Sequence, residues 1–96
     1  MITTKARAEL KTLAHNLTPG VQIGKDGVTE NVIGQIDIVL ENKELVKVKI
    51  LPNSTVEAKE LINELAQKLN AEAILAVGGV MVLYRVSSKK GVKHIL

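Results

Sequence analysis

Residues 73–86, "AILAVGGVMVLYRV", constrain the fold more than any other stretch of this chain. The apolar part, Ala73 to Tyr84, is twelve residues long and is broken by Gly78-Gly79, which is too short to span a bilayer. Two apolar segments joined by a Gly-Gly pair read as a β-hairpin with a two-residue turn. Just before it, Ala58, Leu61, Ile62, Leu65, Ala66 and Leu69 recur at helical spacing and form the cleanest apolar stripe in the chain. A sheet with helices laid on it is the architecture this order calls for.

The rest of the chain supplies more of the same. Ala6, Leu10, Leu13, Ala14 and Leu17 predict a helix over 4–17, with Thr3 or Thr4 as its cap and Thr18-Pro19-Gly20 as its end. Val21-Gln22-Ile23 is a short strand. From Thr29, a plausible N-cap, the positions Val32, Ile33, Ile36, Val39 and Leu40 predict a second helix, with Glu30 well placed in its first turn. Leu45 to Ile50 alternates strictly, with Val46, Val48 and Ile50 facing one way and Lys47 and Lys49 the other. One sheet face is therefore covered and the other partly wet. Ser54-Thr55-Val56-Glu57 has the spacing of a capping box, Ser54 as N-cap and Glu57 at N3. The order α-β-α-β-α-β-β predicts an α+β fold, a two-layer α/β sandwich on a mixed four-stranded sheet. Residues 1–96 form one domain with a basic C-terminal segment, 85–96.

Composition limits the chemistry. The apolar fraction is 46%, with no Phe, no Trp and one Tyr, so the core is built of Leu, Ile, Val and Ala. There is no Cys, which removes disulfides and thiolate metal sites. The N-terminus lacks the apolar segment of a secretory signal, so a soluble cytoplasmic protein is expected, with no membrane contact. Lys plus Arg number 13 against 10 acidic residues. The last twelve residues carry four basic groups and no acidic one. Such asymmetry suits a polyanionic partner, or a solubility device.

Catalysis finds little support. His15 and His94 are 79 positions apart, and neither is flanked by ligands at metal spacing. Ser87-Ser88 has no nucleophile-elbow pattern, and Glu57, Glu60 and Glu64 lie on the helix face away from the apolar stripe. The expectation is a binding protein, with no enzyme activity, cofactor, metal or small-molecule substrate. The G-x-x-G of Gly24-Lys25-Asp26-Gly27 sits between a strand and a helix start. Helix N-termini present unpaired N–H groups to an anion, and glycines let a backbone approach closely. Lys25 adds a cation, whereas Asp26 would repel a phosphate unless it turned back to cap the helix. The loop is too short for a Walker motif. By itself it leaves both a plain turn and a clamp on a nucleic-acid backbone open. Tyr84 is the only aromatic and reads as a core residue. Without a stacking platform, recognition would rest on phosphates, sugar hydroxyls and shape, which favours structured RNA.

Three stretches together, Ile23-Gly24-Lys25-Asp26-Gly27-Val28-Thr29, then Glu44-Leu45-Val46-Lys47-Val48-Lys49, then Val82-Leu83-Tyr84-Arg85, resemble the CRM domain, named for chloroplast RNA splicing and ribosome maturation. The resemblance runs over about residues 3–96, and a chain of this length is similar to the bacterial YhbY-type members. It implies the fold of the C-terminal domain of translation initiation factor three. It also implies RNA binding, with bacterial members associated with precursors of the large ribosomal subunit and plant relatives with group II intron splicing. By position, Gly24, Lys25 and Gly27 would face RNA, Asp26 would occupy a variable loop position, Thr29 would start the helix, and Tyr84 and Arg85 would match the "LYR" motif. The expected footprint adds Lys5, Arg7, Lys11, Arg85, Lys89, Lys90 and Lys93. The expected partner is structured ribosomal RNA in pre-large-subunit particles, bound by a monomer. Competing expectations are a nucleic-acid-coating protein of the Alba type and a protein-interaction module.

Overall fold

The computed structural model describes residues 2–52, 57–92 and 94–96. Helix α1 spans Thr4–His15, with the Thr3 hydroxyl accepting the Ala6 N–H at 3.0 Å. Helix α2 spans Glu30–Lys43 and is capped in the same way, Thr29 Oγ1 accepting the Val32 N–H at 3.2 Å. Helix α3 spans Ala58–Leu69. Four strands, β1 (Val21–Ile23), β2 (Leu45–Ile50), β3 (Glu72–Val77) and β4 (Val80–Tyr84), complete the expected order.

One local expectation is corrected. Glu57 is the extended residue ahead of α3 and caps nothing with its side chain, so it does not occupy the third helical position. Ser54, the other half of the expected capping box, lies outside the described residues. The helix starts instead at Ala58, the first buried residue of its apolar stripe, where packing on the sheet begins.

The sheet order is β1-β2-β4-β3, with β1 parallel to β2 and β4 antiparallel to both its neighbours. The β2-α3-β3 crossover leaves a gap between its two strands, and the hairpin folds β4 back into it. That hairpin turns at Gly78, whose φ of +59° few side chains tolerate. At Gly79 a Cβ would come within 2.9 Å of the Ile50 carbonyl oxygen, so this position also demands glycine.

Alternation along β4 divides the core. Met81 and Leu83 join Val46 and Val48 under α2 and α3, packed with Ile36, Leu40, Leu61 and Leu65. Val82 and Tyr84 face the other way with Leu45 and Ile74, under Leu10 and Ala14 of α1. Helix α1 therefore covers part of the second sheet face. Lys47 lies at its margin and donates to the Ala14 and Leu17 carbonyls at 3.2 and 3.3 Å, capping the end of α1, while Lys49 is exposed.

Candidate nucleic-acid interface

Strands β1, β2 and β3 run in one direction, so the Gly24–Gly27 loop, Leu51 and the Gly78-Gly79 turn share one end of the sheet. The loop is a tight turn closed by the Gly27 N–H donating to the Gly24 carbonyl at 3.0 Å. Gly27 has φ +70°, where glycine is favoured. Gly24 carries no such demand: a Cβ there would meet only Leu51 Cδ1, at an ordinary 3.7 Å. Lys25 and Asp26 form the exposed tip. The cap of α2 is Thr29, so Asp26 is not used for it. With Val32 capped by Thr29 and Ile33 bonded to the Thr29 carbonyl, the Glu30 and Asn31 amides have no hydrogen-bond partner among the described residues. The exposed Lys25 thus precedes the positive end of α2 and its two unpaired amides by a few residues, and the glycines of the turn add no side chain between them.

The opposite end of the sheet holds the basic segment, and β4 keeps the two ends about 17 Å apart at ~3.4 Å per residue. Arg85 is turned inward. Its guanidinium donates to the Leu69 carbonyl at 2.8 Å and pairs with Asp37 at 2.8 Å and Glu41 at 3.1 Å. Its side chain is 16% exposed, because the chain leaving β4 runs across the end of α2 and meets the carboxylates there. Arg85 thus braces the fold instead of joining the loop's surface. Lys89 donates to Asn42 Oδ1 at 3.1 Å, and Lys90 is exposed. Lys93 lies outside the described residues. On α1, Lys5 and Lys11 are exposed, whereas Arg7 bonds the Ala73 carbonyl and faces Glu72 at 3.7 Å on the outer strand.

Two residues that the sequence reading passed over organise this end. Glu44, fully buried, follows α2 in the left-handed conformation with φ +67°. Its carboxylate accepts N–H groups from Ser87 at 2.7 Å and Ile95 at 2.9 Å and contacts His94 Nδ1 at 2.6 Å. Glu41 accepts both the N–H and the hydroxyl of Ser88 at 3.0 Å. Burial pushes the Glu44 pKa up, but the Ser87, His94 and Ile95 contacts outweigh it and hold the carboxyl below its ordinary value. The Ser88 bonds, chiefly, do the same for Glu41. Burial and the Glu44 charge raise the Tyr84 phenol. A sequence signal for this clasp existed: Glu41 and Glu44 stand at a helix C-terminus, which disfavours anions, and no glycine separates α2 from β2.

Among the described residues no cluster of three His, Cys, Asp or Glu side chains could hold a metal ion, and no helix is long and apolar enough to cross a membrane. The arrangement is that of an α+β domain with a G-x-x-G turn at one sheet end and a carboxylate-clasped basic segment at the other. The chain belongs to the CRS1/YhbY (CRM) domain family, whose model matches residues 2–85. It is 36% identical over 89 residues to the "Probable RNA-binding protein YqeI" of Bacillus subtilis, covering 93% of each chain. It is 35% identical to an "RNA-binding protein" of Haemophilus influenzae, over 92% of this chain and 89% of that one. The solution structure of a hypothetical protein from Staphylococcus aureus superposes with a TM-score of 0.78 at 43% identity, covering 94% of each chain. The resemblance carried by the three sequence stretches is therefore a true family membership.

Proposed function

We propose that this protein binds structured ribosomal RNA and assists assembly of the large ribosomal subunit in the cytoplasm, as a monomeric binding protein without catalytic activity. The observation that carries the reading is the exposed Gly24–Gly27 turn running directly into a helix start with two unpaired amides. A phosphate seated there would receive the Glu30 and Asn31 N–H groups and the Lys25 ammonium. Family membership and the RNA-binding names of the two bacterial relatives support RNA as the partner. The aliphatic core and the buried Tyr84 favour backbone and shape over base stacking at the turn itself.

Gradient sedimentation of a cell lysate tests this. The protein is expected to migrate with large-subunit particles at low salt and to leave them at high salt. Residence at the top of the gradient would overturn the proposal, and recovery with bulk DNA would favour a coating protein.

A further inference from the structure

On the α1 side of the sheet, near the end that carries the turn, a groove of about 160 Å³ opens between helix and strands. Its apolar lining is Ala14, Leu75, Val77, Val80 and Val82, and its polar lining is Lys11 and His15 from α1 with Lys47 from β2. Val77 is 62% exposed, an aliphatic side chain left open to solvent in a chain whose other strand valines are largely covered. Strand pairing sets Gln22, Lys49, Val80 and Val77 in one row across the sheet. Gln22 and Lys49 are exposed, and Gln22 lies two residues before Gly24. The row thus leads from the turn to the groove, about 14 Å across three strand spacings.

We propose that this groove is a nucleobase pocket, taking one unpaired base of an RNA whose backbone lies on the Gly24–Gly27 turn. The proposal rests on the RNA-binding reading above and adds to it a site for a base. Charge identifies the occupant: two lysines, Lys11 and Lys47, stand on the rim and no carboxylate lines the groove. The same rim supplies a flat surface. Tyr84 is buried and there is no Phe or Trp, so His15, exposed at the end of α1, is the ring a base can stack on. Lys47 is held in place by the Ala14 and Leu17 carbonyls, whereas Lys11 and Lys49 are free to follow phosphates on either side. An aliphatic lining accepts a base face without reading its edge, so the pocket selects an unpaired nucleotide with little preference among sequences.

The test compares two RNA hairpins, one with a fully paired stem and one with a single bulged 2-aminopurine whose emission reports its surroundings. The bulged hairpin is expected to bind about tenfold more tightly, with a change in emission on binding. His15→Ala and Val77→Asn should each remove the preference and the emission change while leaving paired-hairpin affinity unaltered. Both side chains are exposed, and thermal melting confirms that the variants fold. Equal affinity for both hairpins with unchanged emission overturns the pocket and leaves the backbone grip standing. Failure to bind the paired hairpin overturns the grip, and the pocket with it.

Discussion

The two ends of the sheet treat their charges in opposite ways. At the end built by Ser87, Ser88, Arg85 and His94, each of these residues meets a carboxylate in or just after α2, and Glu44 is sealed from solvent to hold two amides and a ring. At the end built by Gly24 to Gly27, the Lys25 side chain and the Glu30 and Asn31 amides have no partner among the described residues. A cation already held by the protein has less left to offer an RNA, and an amide without a partner adds no hydrogen bond to the fold. Basic residues counted along the sequence therefore say less about a binding surface than which of them are still unengaged.

Substitutions can break this contrast, beginning with the largest effect. Glu44→Ala leaves the Ser87 and Ile95 amides without their acceptor and should cost about 3 kcal/mol in urea denaturation. Glu44→Gly loses the same bonds but relieves the left-handed backbone, so it should be milder by ~1 kcal/mol. Arg85→Met should cost about 2 kcal/mol of stability and leave RNA affinity unchanged. Lost affinity in a stable Arg85 variant would show that the braced end also touches RNA.

Acid should open the clasp selectively. Glu41 and Glu44 both titrate below the ordinary 4.5 in the folded protein, so their contribution is complete above that value and is lost as the pH falls through their folded pKa values. Protection of the Ser87 and Ile95 amides against hydrogen exchange, taken relative to the intrinsic rate at each pH, should therefore fall below about pH 4.5, ahead of the β2–β4 amides. Protection that falls uniformly would deny the clasp its separate identity.

The open end should respond in affinity and hardly in stability. Lys25→Glu should melt like the parent protein, weaken RNA binding and lower the salt slope by about 1. Gly24→Ala is the finest probe, because its Cβ has room and its φ is not left-handed. Stability should hold or rise by ~0.5 kcal/mol, so any loss of affinity measures how closely RNA approaches that backbone.

The element order, the two threonine caps, the hairpin and the turn were all legible in the sequence, because each is set by residues within a few positions of one another. The clasp was not. Glu44 and His94 are fifty residues apart, and only the folded sheet brings the segment after β4 onto the end of α2. The same long-range geometry separated Arg85 from the loop it was expected to serve and joined His15 to Val77. The role of Lys47 was missed for a related reason. Strict alternation marked it as facing away from the main core, but could not say that the end of α1 would lie there.

The position of β4 in the sheet also bears on how the chain can be made. It comes fourth of the four described strands along the chain, yet it lies between β2 and β3. Until residue 84 has left the ribosome, β2 and β3 have no common neighbour, and each presents an unpaired edge. The complete sheet must wait for β4, and until then the nascent protein relies on β1-α2-β2 as its earliest sheet-forming segment.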